Sequence, residues 1–144
     1  MSEVALRASW YSVSWLFWYI GYGVIAKDRE VAVMINHMVN DIALTMKKGY
    51  EQVYGDNIID IYLYGSYARG DYDVESDIDF AAVVKGERLD LQRKLKDMWD
   101  IAADLGMERD VVISPTVIPY SEFIKYKDEL PYYRNIIREG LKIE

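Results

Sequence analysis

A chain of 144 residues has room for one core and one compact module. Its 24 acidic residues against 17 basic ones leave a formal charge of −7, which argues against a nonspecific grip on the phosphate backbone of a long nucleic acid. The absence of cysteine removes disulfides, thiolate zinc sites and a cysteine nucleophile, and a single histidine, His37, removes multi-histidine metal sites.

Residues 8–26 carry no charge and hold Trp10, Trp15 and Trp18, three of the four tryptophans. The run approaches the roughly 20 residues that span a bilayer. Gly21, Gly23, three serines and many aromatics make it a weaker membrane helix than a leucine-rich run, and no A-x-A pattern closes it as a secretory signal. Three readings stand: a membrane anchor, an apolar segment that docks on the domain or a partner, or translated sequence upstream of a start at Met34. The last two are favoured, so the expected location is cytoplasmic. Residues 1–30 are set apart from a domain over 31–144.

From Glu30 onward Val31, Met34, Ile35, Met38, Val39, Ile42 and Met46 recur at helical spacing, which predicts an amphipathic helix. His37 falls inside this pattern and reads as a surface or boundary position, not a catalytic base. Gly49 and Gly55-Asp56 read as punctuation. Residues 58–64 and 78–84 read as buried strands. Between Leu89 and Leu105 the apolar spacing predicts a second amphipathic helix ending at Gly106. Residues 110–118 read as a third strand, with Pro115 pointing to an edge or a bulge. The tail reads as a short helix from Tyr120, a break near Pro131 and a final helix through Arg138 that Gly140 ends. The expected class is therefore α/β (α+β): a small mixed sheet of three or more strands packed against helices.

The chemistry concentrates between the first two strands. Gly65-Ser66 is followed by ten residues, 67–76, and then by Asp77-Ile78-Asp79. Alternation along a strand puts Asp77 and Asp79 on one face and turns Ile78 and Phe80 toward a core. Two neighbouring carboxylates repel unless a cation sits between them, and hard oxygen donors suit Mg2+ or Mn2+. Gly65, without a Cβ, lets phosphate oxygens approach the backbone, and Ser66 offers them a hydroxyl and an N–H. Arg69 could stabilise phosphate charge. Asp71, Asp73 and Glu75 are expected in solvent.

Gly-Ser, ten residues and Asp-x-Asp resemble the signature of the nucleotidyltransferases with a DNA polymerase beta-like fold. The nearest branch is similar to the minimal nucleotidyltransferases, many of them paired with a helical HEPN partner in toxin–antitoxin modules. The resemblance extends over about residues 34–141, including the tail from Tyr132 to Gly140. It implies a nucleotidyltransferase fold and transfer of a nucleoside monophosphate from an NTP, with ATP as the expected donor, to an acceptor hydroxyl. Asp77 and Asp79 would hold the metal ions, and Gly65 and Ser66 the β and γ phosphates, with Arg69 in support. The family adds a third carboxylate from a later strand; Asp110 is the candidate, its other reading being a surface carboxylate at a strand end.

Three functions compete. The leading one is adenylyl transfer to a tyrosine hydroxyl on a HEPN-type partner protein, because the chain lacks room for a second acceptor-binding domain. The others are nucleotidylation of an aminoglycoside or similar small molecule, and a noncatalytic antitoxin that neutralises its partner by binding alone.

Overall fold

The computed structural model describes residues 22–144, with side chains from Met34 onward; the readings placed on residues 1–21 lie outside the described residues. The first helix, α1 (Tyr22–Tyr54), leads through a 3-10 turn (Gly55–Asn57) into β1 (Ile58–Tyr64). A single helical turn, α2 (Ser66–Arg69), and a loop precede β2 (Ile78–Val84). Then come α3 (Arg88–Arg109), β3 (Ile113–Pro119), α4 (Tyr120–Tyr126), α5 (Pro131–Glu139) and β4 (Leu141–Lys142). Contacts divide the chain after Ile42, and the second unit, Ala43–Glu144, holds the sheet. In the first unit Met34 and His37 are exposed. No helix among the described residues is long and apolar enough to cross a membrane.

The sheet has the order β3-β2-β1-β4. Strand β1 runs antiparallel to β2 and β4, and β2 runs parallel to β3, so the sheet is mixed, as expected. Strands β1 and β2 match the expected ranges. Their runs of Ile, Tyr, Leu, Val and Phe are too short for a helix and favour a pleated, buried surface. Pro115 sits on β3, an edge strand where a missing N–H is tolerated.

Alternation gives the sheet two faces. Ala81 and Val83 of β2 form a core with Ile118, with Phe123 of α4, and with Tyr133 and Ile136 of α5. The other face carries Ile78, Phe80, Ala82 and Val84, all fully buried, on the side of α3 and the end of α1. Those two helices are stapled together, since the Tyr54 hydroxyl donates to the Leu91 carbonyl at 2.9 Å. The buried Tyr50 hydroxyl accepts from the N–H of Thr116 at 3.1 Å and lies 3.0 Å from its carbonyl, tying α1 to the edge strand.

Two glycines read as stops serve close packing instead. Gly49 lies inside α1, where a Cβ would come within 3.2 Å of Ile101 and 3.3 Å of Met98, so it lets α1 approach α3. Helix α3 runs past Gly106 to Arg109. A Cβ at Gly106 would lie 2.6 Å from the Val111 carbonyl oxygen as the chain folds back. The last strand, β4, pairs Lys142 and Leu141 with Tyr62 and Leu63, just past Gly140, where the final helix was expected to end.

Candidate active site

Strand β1 delivers the chain to Gly65 at its end, and β2 delivers Asp79 beside it. Gly65 has φ +73°, a left-handed value that disfavours any side chain. Its place is also filled, because a Cβ there would lie 2.5 Å from Oδ2 of Asp79. The turn at Gly65 and the carboxylate strand are thus in contact through the one residue that has no side chain. Ser66 then opens α2, whose turn is closed by bonds from Arg69 N–H to the Gly65 carbonyl (3.1 Å) and from Gly70 N–H to the Ser66 carbonyl (2.8 Å). The first N–H groups of such a turn have no helical partner.

Asp79 is half-buried and Asp77 is exposed, while Ile78 and Phe80 between and beyond them are fully buried. Burial pushes the Asp79 carboxyl above its ordinary value, the charge of Asp77 adds to this, and the Arg69 guanidinium pulls it back. Arg69 itself is held by Asp71 at 3.3 Å and by Glu139 of α5 at 3.4 Å. The intervening loop turns on Asp73, whose Oδ1 accepts from the Glu75 N–H at 2.9 Å, and Asp71, Asp73 and Glu75 are exposed as expected.

The structure does not bring Asp110 to this pair. It was expected to open the third strand, but it caps α3 with φ 54° and ψ 46°, a left-handed conformation that Asp tolerates better than most residues. Strand β3 begins three residues later, and its register sets Ser114 opposite Asp79. The Ser114 hydroxyl donates to Oδ2 of Asp77 at 3.3 Å. Among the described residues no third Asp, Glu, His or Cys joins Asp77 and Asp79 as a possible metal ligand. Their two carboxylates and the Ser114 hydroxyl are nonetheless a hard-oxygen set suited to a small divalent cation, which would relieve the Asp77 repulsion that adds to the effect of burial on Asp79.

Reading by sequence passed over Ser114, and it placed Tyr132 and Glu139 only in the tail of the family resemblance, without the pairing of the Tyr64 and Tyr132 hydroxyls, which lie 3.1 Å apart. Alternation from Ile113 would have put Ser114 on the carboxylate face once β3 was known to run parallel to β2. Nothing local marks the contacts that Tyr132 and Glu139 make with β1 and Arg69.

The family described as nucleotidyltransferase domain matches residues 45–143. The chain belongs to this family. As a nucleotidyltransferase it is similar to a protein of Methanocaldococcus jannaschii provisionally named protein adenylyltransferase MJ0141, 36% identical over 93 residues, 65% of this chain and 92% of the relative. A second protein of that organism, provisionally named protein adenylyltransferase MJ0604, is 36% identical over 87 residues, 60% of this chain and 79% of the relative. Among solved structures, a mutant of the toxin–antitoxin MntA-HpeT has a TM-score of 0.45 at 16% identity, over 72% of this nucleotidyltransferase and 70% of that chain. A toxin–antitoxin with AMP-PNP has a TM-score of 0.45 at 18% identity, over 69% of this chain and 70% of that one.

Proposed function

We propose that this nucleotidyltransferase transfers AMP from ATP to a hydroxyl on a partner protein, in the manner of a HEPN/MNT-type antitoxin. The observation that carries the proposal is the contact of Gly65 with Asp79, which sets a turn suited to phosphate against a pair of carboxylates. The names of the M. jannaschii relatives support an adenylyl donor and a protein acceptor.

In this reading Gly65 and Ser66 hold the β and γ phosphates, and Arg69 exchanges its carboxylate partners for phosphate oxygens. Asp77 and Asp79 would hold Mg2+ or Mn2+, with the Ser114 hydroxyl orienting Asp77. Such an ion, when bound, supplies positive charge where the α-phosphate and the acceptor oxygen meet. The acceptor oxygen loses its proton to solvent, to which Asp77 is open, and bonds to the α-phosphorus. The bond from that phosphorus to the bridging oxygen breaks, and pyrophosphate leaves with the electron pair. Asp110, at the cap of α3, has no part in this scheme.

Incubation of the full chain with ATP labelled on the α-phosphate, Mg2+ and the protein encoded beside it tests the proposal. Label on that partner, lost with Asp77→Asn, is expected. A partner that stays unlabelled while still being neutralised through complexes that survive Asp77→Asn and Asp79→Asn would favour the noncatalytic antitoxin.

A further inference from the structure

The C-terminal strand brings one more charge beside the Gly65 turn. Strand β4 runs antiparallel to β1, with Lys142 opposite Tyr62 and Leu141 opposite Leu63. Gly140 before it is extended, at φ −70° and ψ 148°, and a Cβ there would lie 3.4 Å from the Leu63 carbonyl oxygen. The chain therefore stays close to β1 up to the end of α5, and counting back along the register brings Glu139 level with Gly65. Its Oε2 accepts from Nη1 of Arg69 at 3.4 Å, while Oδ2 of Asp71 accepts from Nε at 3.3 Å. Both contacts occupy N–H donors that a phosphate at Gly65 and Ser66 would use.

Arg69 is the only Lys or Arg from Ile58 through Val84, so β1, the turn and β2 have no second cation of their own to meet an anion. Its side chain is 43% exposed and that of Glu139 41%, and in solvent an ion pair is worth little and its partners exchange readily. A phosphate offers the guanidinium fork a stronger, two-pronged match than a single carboxylate oxygen does. The two carboxylates differ in what their release would do. Asp71 is two residues from Arg69 and moves with the same loop, whereas Glu139 lies 70 residues away on α5, so its pair with Arg69 ties the turn to the C-terminal segment. As the last residue of α5, Glu139 also opposes the helix dipole, so its charge does not serve the helix itself.

We propose that Glu139 is a positioning residue that competes with the donor nucleotide for Arg69: it engages the guanidinium in the nucleotide-free protein, yields it to the terminal phosphates, and takes it back as pyrophosphate leaves. The inference rests on the function proposed above and adds to it a control of donor affinity. Such competition weakens binding of the triphosphate and of pyrophosphate alike, and it leaves AMP, which lacks the terminal phosphates, untouched.

The test measures binding to the full chain with Mg2+ by calorimetry, using α,β-methylene-ATP, which nucleotidyl transfer does not cleave, beside pyrophosphate and AMP. Glu139→Gln is expected to tighten α,β-methylene-ATP and pyrophosphate about threefold, the worth of one exposed ion pair, with AMP binding unchanged. Glu139→Asp, which keeps the charge on a side chain too short to reach Arg69, should tighten them by a similar factor. Arg69→Ala should weaken both about tenfold, and in that background Glu139→Gln should add nothing. Weaker binding by Glu139→Gln would make Glu139 the residue that aims Arg69 at phosphate and overturn the inference, as would unchanged binding by Glu139→Gln or by Arg69→Ala. A gain that persists beside Arg69→Ala, or is missing from Glu139→Asp, would also overturn it, because the charge of Glu139 would then act on the phosphates directly. Wild-type protein that binds neither α,β-methylene-ATP nor pyrophosphate would instead remove the function reading on which the inference stands.

Discussion

Neighbouring residues of β2 live in opposite environments. Phe80 is fully buried on the face toward α3, whereas Asp79, one residue before it, is half-buried on the other face and carries a carboxyl pushed up by burial and by Asp77. The sealed face sets the register, because a slip of one residue would drive Asp79 into the core and Phe80 out of it. The end of the other face, where Asp77 and Asp79 sit outside the core of Ala81 and Val83, gives up stability to hold two like charges together. Structure and chemistry are therefore separable along one strand, and substitutions on the two faces should fail in different assays.

The largest separation is expected from Asp79→Asn. Nucleotidyl transfer should fall about a thousandfold, as loss of several kcal/mol of charge stabilisation implies, while circular dichroism stays native. Phe80→Ala should do the converse and destabilise the fold by about 3–5 kcal/mol, with the activity of the protein that remains folded largely kept; urea unfolding measures it. Gly65→Ala joins the faces at their seam. The left-handed φ costs about 1–2 kcal/mol for a residue with a Cβ, and the methyl group must displace the Asp79 carboxylate, so activity should drop about a hundredfold with only a modest fall in Tm.

A smaller effect concerns pH. The raised Asp79 carboxyl binds its proton more tightly in the folded than in the unfolded protein, so its ionisation weakens folding. That penalty is absent below the unfolded value near pH 4 and complete once pH exceeds the raised folded value. Asp79→Asn should thus melt above wild type by a few degrees at pH 7, and the two Tm values should converge as pH falls toward 3. A constant offset across that range would contradict the sign. The smallest expected change is at Asp110, where Asp110→Asn keeps the helix cap and should leave transfer within about twofold, since Asn tolerates the left-handed conformation as Asp does.

Much of this arrangement was legible in the chain before its fold was known, and the legible parts are local. Strands 58–64 and 78–84 announced themselves by short runs rich in Ile, Leu, Tyr, Phe and Val, and the final helix by Pro131 and Gly140, because each signal lies within or beside the element it marks. Gly49 and Gly106 misled for the converse reason: their meaning comes from Met98, Ile101 and the Val111 carbonyl, which only packing brings near. Asp110 was assigned by its neighbours Val111 and Val112 to a strand, but the backbone needs a left-handed cap there before it can turn into β3. Ser114 and Tyr132 depend on register and on contacts across 37 and 68 residues, which no short window contains.

The most direct test of the claim that Gly65, Ser66, Asp77 and Asp79 form one nucleotidyl-transfer centre is the release of pyrophosphate from ATP by the full chain together with the protein encoded beside it, with and without Mg2+, wild type beside Asp77→Asn. The account predicts release that requires both Mg2+ and Asp77. Equal release by the folded Asp77→Asn protein, or release that ignores Mg2+, would contradict it.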